Sequence, residues 1–399
     1  MLERLERIAP DPILGLMAAF RADNDPHKVD LGVGVYRNDH GDTPVLKAVR
    51  QAEQAVLARQ NTKAYVAAAG NPGFNQAMER LVFGADHPAL TGGRIRTIQA
   101  PGGCGALRLG AELIKLASPE SVVHVSTPTW ANHIPLISGC GLKLERYPYF
   151  DPATGGVNFS AMRAALERLP ARSVVLLHAS CHNPTGADLS EAQWRELLGL
   201  FKSRNLLPFI DMAYQGLGTG VAEDAFGIRL FCSELPEVTV AVSCSKNFGL
   251  YRERTGSLHV VTENPTAADA VLTQLVRIAR SIYSMPPDHG AAIVQEILDN
   301  NTLRESWVDE VATMRKRIQG LRHDVVQQLR KLCPQRDFGF IETQHGMFSY
   351  LGITVEQVRE LQTRHHVYMT DDSRINVAGL RRENLEYFAQ AVAKVLTIR

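Results

Sequence analysis

In "TVAVSCSKNFGLYRERTG" (239–256) a β-branched apolar run ends in two serines, and Lys246 follows before Gly249 and Gly256 break regular structure. An ammonium just past a buried strand is costly to desolvate. Burial shifts it towards the neutral amine, which is both a base and a nucleophile. Two other apolar runs end in residues suited to the same centre. "LLHASCHNPTG" leads to Asn183, and "FIDMAYQG" carries Asp211 with Tyr214 three residues on; Arg254 follows Lys246 by eight. Taken singly, a strand-end Asp is an ordinary turn residue and a lone Lys an ordinary solvated one. It is the ordered set that suggests a site. "PGGCGALRLG" (101–110) is a glycine-rich turn opening a helix, so its N–H groups and dipole can receive an anion. As a dinucleotide fingerprint it is weak, because Arg108 stands where the third glycine belongs. His178 and His182 flank Cys181, but a strand-to-loop stretch does not set them on one face as a helix would. No metal site is expected.

Those residues need a scaffold. The runs 121–126, 173–180, 206–213, 239–245 and 256–262 read as buried strands. Helix patterns lie between them, such as 190–205, where Ser190 and Gln193 form a capping-box pair. This alternation predicts an α/β fold with a largely parallel sheet covered by helices, whose ligands bind beyond the carboxyl ends of the strands. From residue 288 a long helical stretch runs to Leu332. Short strands follow at Phe338–Ile341 and Phe348–Leu351, then helices at 354–366, opened by Thr354 and Gln357, and at 381–396. That tail predicts a smaller α+β domain. The segment "KVDLGVGVY" (28–36) could pair with either part. The expected division is 1–43 as an N-terminal arm and part of the small domain, 44–313 as the large domain, and 314–399 as the small C-terminal domain.

Bulk composition narrows the class. The 399 residues carry 43 Lys plus Arg against 42 Asp plus Glu, which argues against a nucleic-acid or membrane-surface partner. No apolar run reaches the ~18 residues of a membrane span. "MLERLERIAPDPILGL" lacks the parts of a signal peptide. Six scattered cysteines with no C-x-x-C pair suit a reducing compartment, so a cytoplasmic enzyme is expected.

"CHNPTG", "DMAYQG", "SCSKNFGLYRERTG", "DLGVGVYRND" and "SRINVAG", with the glycine-rich turn, follow one another along nearly the whole chain. In this they resemble the aspartate and aromatic amino-acid aminotransferase family of class I pyridoxal-phosphate enzymes. The resemblance implies the fold-type I architecture: a mostly parallel seven-stranded sheet flanked by helices, plus a smaller α+β domain. It implies that Lys246 holds pyridoxal 5'-phosphate covalently and moves the substrate proton. Asp211 would keep the ring nitrogen protonated, Tyr214 and Asn183 bond the phenolic oxygen, His133 support Asp211, and Trp130 stack on the ring. Gly102, Gly103, Cys104, Ser243, Ser245 and Arg254 would hold the phosphate, joined by Tyr65 of a second subunit. Cys104 departs from the hydroxyl residue common in relatives, and a thiol is a weak donor. Arg374 matches the arginine that clamps the α-carboxylate, with Gly34, Trp130 and Asn183 near the substrate. Asp371-Asp372-Ser373 replaces the usual small residues before Arg374, either as solvated side chains or as competitors for the guanidinium.

Arg280, in "RIARSIYSMPPDHG", matches an arginine that reaches the neighbouring subunit's site to bind a second carboxylate. Ala64, Cys104, Ile282 and Met285 would surround it with apolar or weakly polar groups, which suits an aromatic side chain. The expectation is a homodimer with shared active sites. It would transaminate aromatic amino acids with 2-oxoglutarate by a ping-pong mechanism, the alternative being an aspartate aminotransferase. A pyridoxal lyase or decarboxylase fits two carboxylate clamps less well. A non-catalytic binding protein does not explain Lys246, Asp211 and Tyr214 together.

Overall fold

The computed structural model describes residues 2–7 and 12–397. They divide into two compact units. One is Pro44–Lys316 with Gln344–Gly346; the other is Met1–Thr43, Arg317–Thr343 and Met347–Arg399. Gln344–Gly346 joins the larger unit by hydrogen bonds: Gln344 Nε2 donates to Gly155 O and His345 N to Gly186 O.

The larger unit is built on a seven-stranded sheet. Its strands are β1 (Ile95–Pro101), β2 (Val122–Thr127), β3 (Lys143–Pro148), β4 (Val174–His178), β5 (Leu207–Met212), β6 (Val238–Ser243) and β7 (Thr255–Val261). They lie in the order β1-β7-β6-β5-β4-β2-β3. Pairing is parallel from β3 through β2, β4 and β5 to β6, while β7 runs antiparallel to both β6 and β1. The five anticipated runs are β2 and β4 to β7.

β1 and β3 escape an apolar-run criterion for different reasons. β3 is an edge strand whose Lys143, Glu145 and Arg146 keep that edge polar. β1 is largely buried, but its polar side chains are consumed by partners. Arg96 bonds Asp269, Thr97 bonds His259, and Gln99 bonds Asn71 N and Pro287 O.

Helices cover the sheet. Ala106, Leu107 and Leu109 of the helix Gly102–Ala117 pack on Val123, Leu176, Phe209 and Leu258 in one core. Each buried Leu, Val or Phe among them contributes about 1.5–3 kcal/mol of transfer free energy. The helix Glu191–Arg204 starts as expected: Ser190 Oγ accepts from Gln193 N at 3.2 Å and Gln193 Oε1 from Ser190 N at 2.9 Å. Asn205, at φ 52°, ends it in the left-handed region that favours Gly and Asn.

In the smaller unit Val29–Asp30 pairs in parallel with Val367–Tyr368, so the segment 28–36 belongs there. Phe348–Tyr350 pairs antiparallel with Arg374–Asn376. Two expectations for this region differ from the structure. The stretch from 288 to Leu332 is two helices, Asp288–Asp299 and Asn301–Leu332, because Asn300 takes an extended ψ and its side chain caps Leu303 N. Phe338–Ile341 is not a strand; the chain forms the short helix Phe340–Thr343 instead. Asp337 Oδ1 accepts from Gly339 N at 2.7 Å, and that local turn overrides the strand-like alternation of "FGFI".

Candidate active site

The chain leaves β1, β2, β4, β5 and β6 at one edge of the sheet, and antiparallel β7 begins there. Gly102, Trp130, Asn183, Tyr214 and Lys246 follow those strand ends, Asp211 lies one residue before the end of β5, and Arg254 directly precedes β7. Strand direction alone gathers them.

Asp211 is 5% exposed, beside His178 of β4 and Ala241 of β6 in register. His133 Nε2 lies 3.1 Å from its Oδ2, and the Thr129 hydroxyl lies 2.8 Å from His133 Nδ1. An ionised carboxylate only accepts, so Nε2 carries the proton towards Asp211 and Thr129 donates into Nδ1. Burial raises the Asp211 pKa. The His133 hydrogen bond, with the electrostatic influence of His133, His178 and Lys246, outweighs it and leaves the carboxyl below its ordinary value. The carboxylate is held ionised.

Lys246 keeps partial exposure, with Nζ 4.8 Å from the centroid of the Tyr214 ring. Burial lowers its pKa, with Asp211 and Cys104 opposing and Arg254 adding to the shift. The site thus holds a fixed anion and an amine pushed towards its basic form.

An anion cradle lies alongside. Gly102, at φ 70°, begins its helix where a Cβ would fall 2.5 Å from Arg254 Nη2. A Cβ on Gly103 would fall 3.1 Å from that of Ser243. Arg254 Nη1 donates to Ser245 Oγ at 3.4 Å, and Ser243 Oγ accepts from Ser245 N at 3.2 Å. The guanidinium, two hydroxyls and a helix N-terminus therefore crowd a space that any side chain at Gly102 would fill. Cys104 Sγ accepts from Asn132 Nδ2 at 3.5 Å. Asn183 is buried, and among the described residues its Oδ1 has no hydrogen-bond partner. A phosphorylated, ring-nitrogen-bearing group fits this donor set.

His178 and His182, which a strand-to-loop stretch does not set on one face as a helix would, are nonetheless close. Their ring centroids are 4.1 Å apart, because Cys181, at φ 53°, turns the chain back on itself. Ligand atoms of His133, His178 and Asp211 lie within 4.8 Å of one another, although Asp211 Oδ2 is already engaged by His133. Burial, with the neighbouring His133, lowers the His178 pKa to about 3.

In the smaller unit, Arg374 is 6% exposed and donates from Nη2 to Gly32 O at 2.7 Å. The two aspartates before it are engaged elsewhere. Asp372 accepts from Thr370 Oγ1, Tyr350 OH and Arg374 N, and Asp371 lies 3.7 Å from Arg359. Gly34 lies in the same unit, against the Phe348 ring. Tyr65, Ala64 and Ile282 are exposed, as is Arg280 at the end of the helix Pro265–Ile282; Met285 is half-buried. Sequence reasoning missed Thr129, Asn132 and Phe348. Thr129 had a signal, standing four residues before His133; Asn132 and Phe348 had none.

A family model described as "Aminotransferase class I and II" matches residues 26–392. The aromatic-amino-acid aminotransferase of Pseudomonas aeruginosa is 45% identical over 392 residues, covering 98% of this chain and 98% of the relative. The aspartate aminotransferase of the same organism is 43% identical, covering 99% and 100%. Among solved structures, an aromatic-amino-acid aminotransferase from Burkholderia pseudomallei, covalently bound to pyridoxal phosphate, superposes with a TM-score of 0.97 at 44% identity, covering 100% of both chains. With its motifs, sheet order and full-length similarity in agreement, the chain belongs to the class I and II aminotransferases.

Proposed function

We propose that this chain transaminates aromatic amino acids with 2-oxoglutarate as acceptor, using pyridoxal 5'-phosphate held in the Lys246 site. The observation that carries the cofactor reading is the half-buried amine of Lys246 in the field of a buried carboxylate and beside an anion cradle. Bound there, the cofactor supplies an electron-withdrawing ring and a carbon that carries the amino group between donor and acceptor. Arg254, Ser243, Ser245 and the N–H groups from Gly102 to Cys104 would hold its phosphate, and Asp211 its protonated ring nitrogen. Asn183 and Tyr214 would bond its phenolic oxygen, with Trp130 on its face. Lys246, in the neutral form that burial favours, would take the proton from the substrate Cα and pass it to the cofactor carbon that takes up the amino group, with the transfer reversed in the second half-reaction. His133, fixed by Thr129, keeps Asp211 ionised throughout. Arg374 would bind the α-carboxylate with a rigid fork of donors, near Gly34.

The exposure of Tyr65 (93%) and Arg280 supports a homodimer in which both side chains serve the partner's site; the six free cysteines support a cytoplasmic protein. Among the described residues no helix is long and apolar enough to cross a membrane. Arg280 has no ion pair among the described residues, and the weakly polar Ala64, Cys104, Ile282 and Met285 support an aromatic over an acidic donor. The aspartate aminotransferase relative supports the second reading, with aspartate as donor.

Half-reaction kinetics separate the two. Phenylalanine and tyrosine should exceed aspartate in kcat/KM. Arg280→Leu should weaken aspartate and 2-oxoglutarate by roughly 2–4 kcal/mol, as for a lost buried charge pair, and leave aromatic donors nearly unchanged. A wild-type preference for aspartate would decide for the aspartate reading.

A further inference from the structure

Within the smaller unit, the Arg374 guanidinium carbon lies 4.5 Å from the centroid of the Phe348 ring. The far edge of that ring abuts Gly34, where a Cβ would fall 2.9 Å from Phe348 Cζ. The ring is thus confined between backbone and guanidinium. Phe348 and Arg374 belong to neighbouring antiparallel strands, with Phe348 opposite Asn376 and Tyr350 opposite Arg374. Behind the first of these strands stands Arg322, 1% exposed. Arg322 Nη2 donates to Phe348 O at 2.7 Å, and Nη1 donates to Ser349 Oγ at 2.6 Å and to Ile341 O at 2.9 Å. Burying a guanidinium is a costly way to hold a strand if packing were the only requirement. Its planar fork does something an apolar side chain cannot: it pins consecutive residues of one strand through directed bonds.

We infer that Phe348 is a positioning residue for substrate binding, a flat surface that sets the plane of the Arg374 guanidinium, and that Arg322 is the buried anchor holding that surface in place. Bidentate recognition of a carboxylate requires the plane of the guanidinium to match that of the ligand. Gly32 O fixes one end of the fork at Nη2, and the aromatic face constrains rotation about the remaining axis. Gly34 has no side chain because the ring occupies that volume. The inference rests on the proposal that Arg374 binds the α-carboxylate.

The test uses holoenzyme, with KM and kcat measured separately for one aromatic donor and for 2-oxoglutarate, and with Tm recorded for each variant. Phe348→Leu should raise both KM values about tenfold with kcat changed less than threefold, since carboxylate binding is uniform across the reaction. Phe348→His keeps a flat ring and adds no atom at the end that abuts Gly34; assayed at about pH 8, where an ordinary imidazole is neutral, it should restore KM to within about threefold of wild type. Arg322→Lys, which keeps the charge but loses the fork, should raise KM in the same direction with the cofactor's visible absorption unchanged. An unchanged KM in Phe348→Leu overturns the inference. So does an equal loss in Phe348→Leu and Phe348→His, which would reduce Phe348 to packing. Arg374→Leu is the control: a KM unaffected by it would sink the carboxylate reading itself, whereas a large rise there with none in Phe348→Leu sinks the positioning role alone.

Discussion

At Lys246, burial pulls the amine towards its neutral form while Asp211 favours the ammonium, and burial wins. The folded pKa of this lysine is therefore below its ordinary 10.5, so the unfolded chain binds more protons between the two values. The wild-type penalty is complete below the folded pKa and vanishes as pH rises to 10.5. Lys246→Met should abolish turnover of the holoenzyme; in cofactor-free protein it should raise Tm, by a gain that shrinks as pH rises towards 10.5. A Tm gain independent of pH would assign it to packing instead. Lys246 was legible in the sequence because a charge after an apolar run conflicts with its surroundings. The pairing of Arg322 with Phe348 was not, because a buried arginine on an amphipathic helix looks like any solvated one.

Two elements show how local and distant bonds share the fold. The helix Glu191–Arg204 depends on its capping box, so Ser190→Ala should cost about 1 kcal/mol in urea denaturation without altering kinetics. The strand pair Val29–Asp30 with Val367–Tyr368 depends on a more distant cluster. Asp23 accepts from Asp25 N at 2.8 Å, from Tyr368 OH at 2.7 Å and from His366 Nδ1 at 2.7 Å. These bonds, in that order of effect, lower the Asp23 pKa to about 2. A depressed carboxyl contributes stability above its ordinary value of 3.8, lost as pH falls towards 2. Asp23→Asn should thus be less stable than wild type by a constant margin at neutral and mildly acid pH. The margin should close below pH 3.8, as read by thermal denaturation. Ser190 and Gln193 announce their helix three residues apart; Asp23 and His366 are 343 residues apart and announce nothing.

At the scale of the whole molecule, the proposed homodimer would place the exposed Tyr65 and Arg280 in a partner's site. Hybrid dimers test this directly. Mixing Lys246→Ala with Arg280→Leu subunits yields hybrids in which one of two sites combines a wild-type Lys246 with the partner's wild-type Arg280. After equal mixing and exchange, about a quarter of wild-type 2-oxoglutarate activity should return, since half the dimers are hybrids with one competent site each. No recovery in a mixture shown to exchange subunits would place Arg280 outside the partner's site.

By itself the sequence determined the strand–helix alternation, the residues at the strand ends and the caps of two helices, because these depend on neighbours within a few positions. It also carried the family resemblance through its ordered motifs. Only the tertiary structure decided the rest. Antiparallel β7 brings Arg254 onto Gly102, the left-handed turn at Cys181 brings His178 close to His182, and polar β1 is buried because partners far along the chain satisfy Arg96, Thr97 and Gln99. Each depends on strand register or on a bond between distant residues, and neither has a period that can be read along one segment.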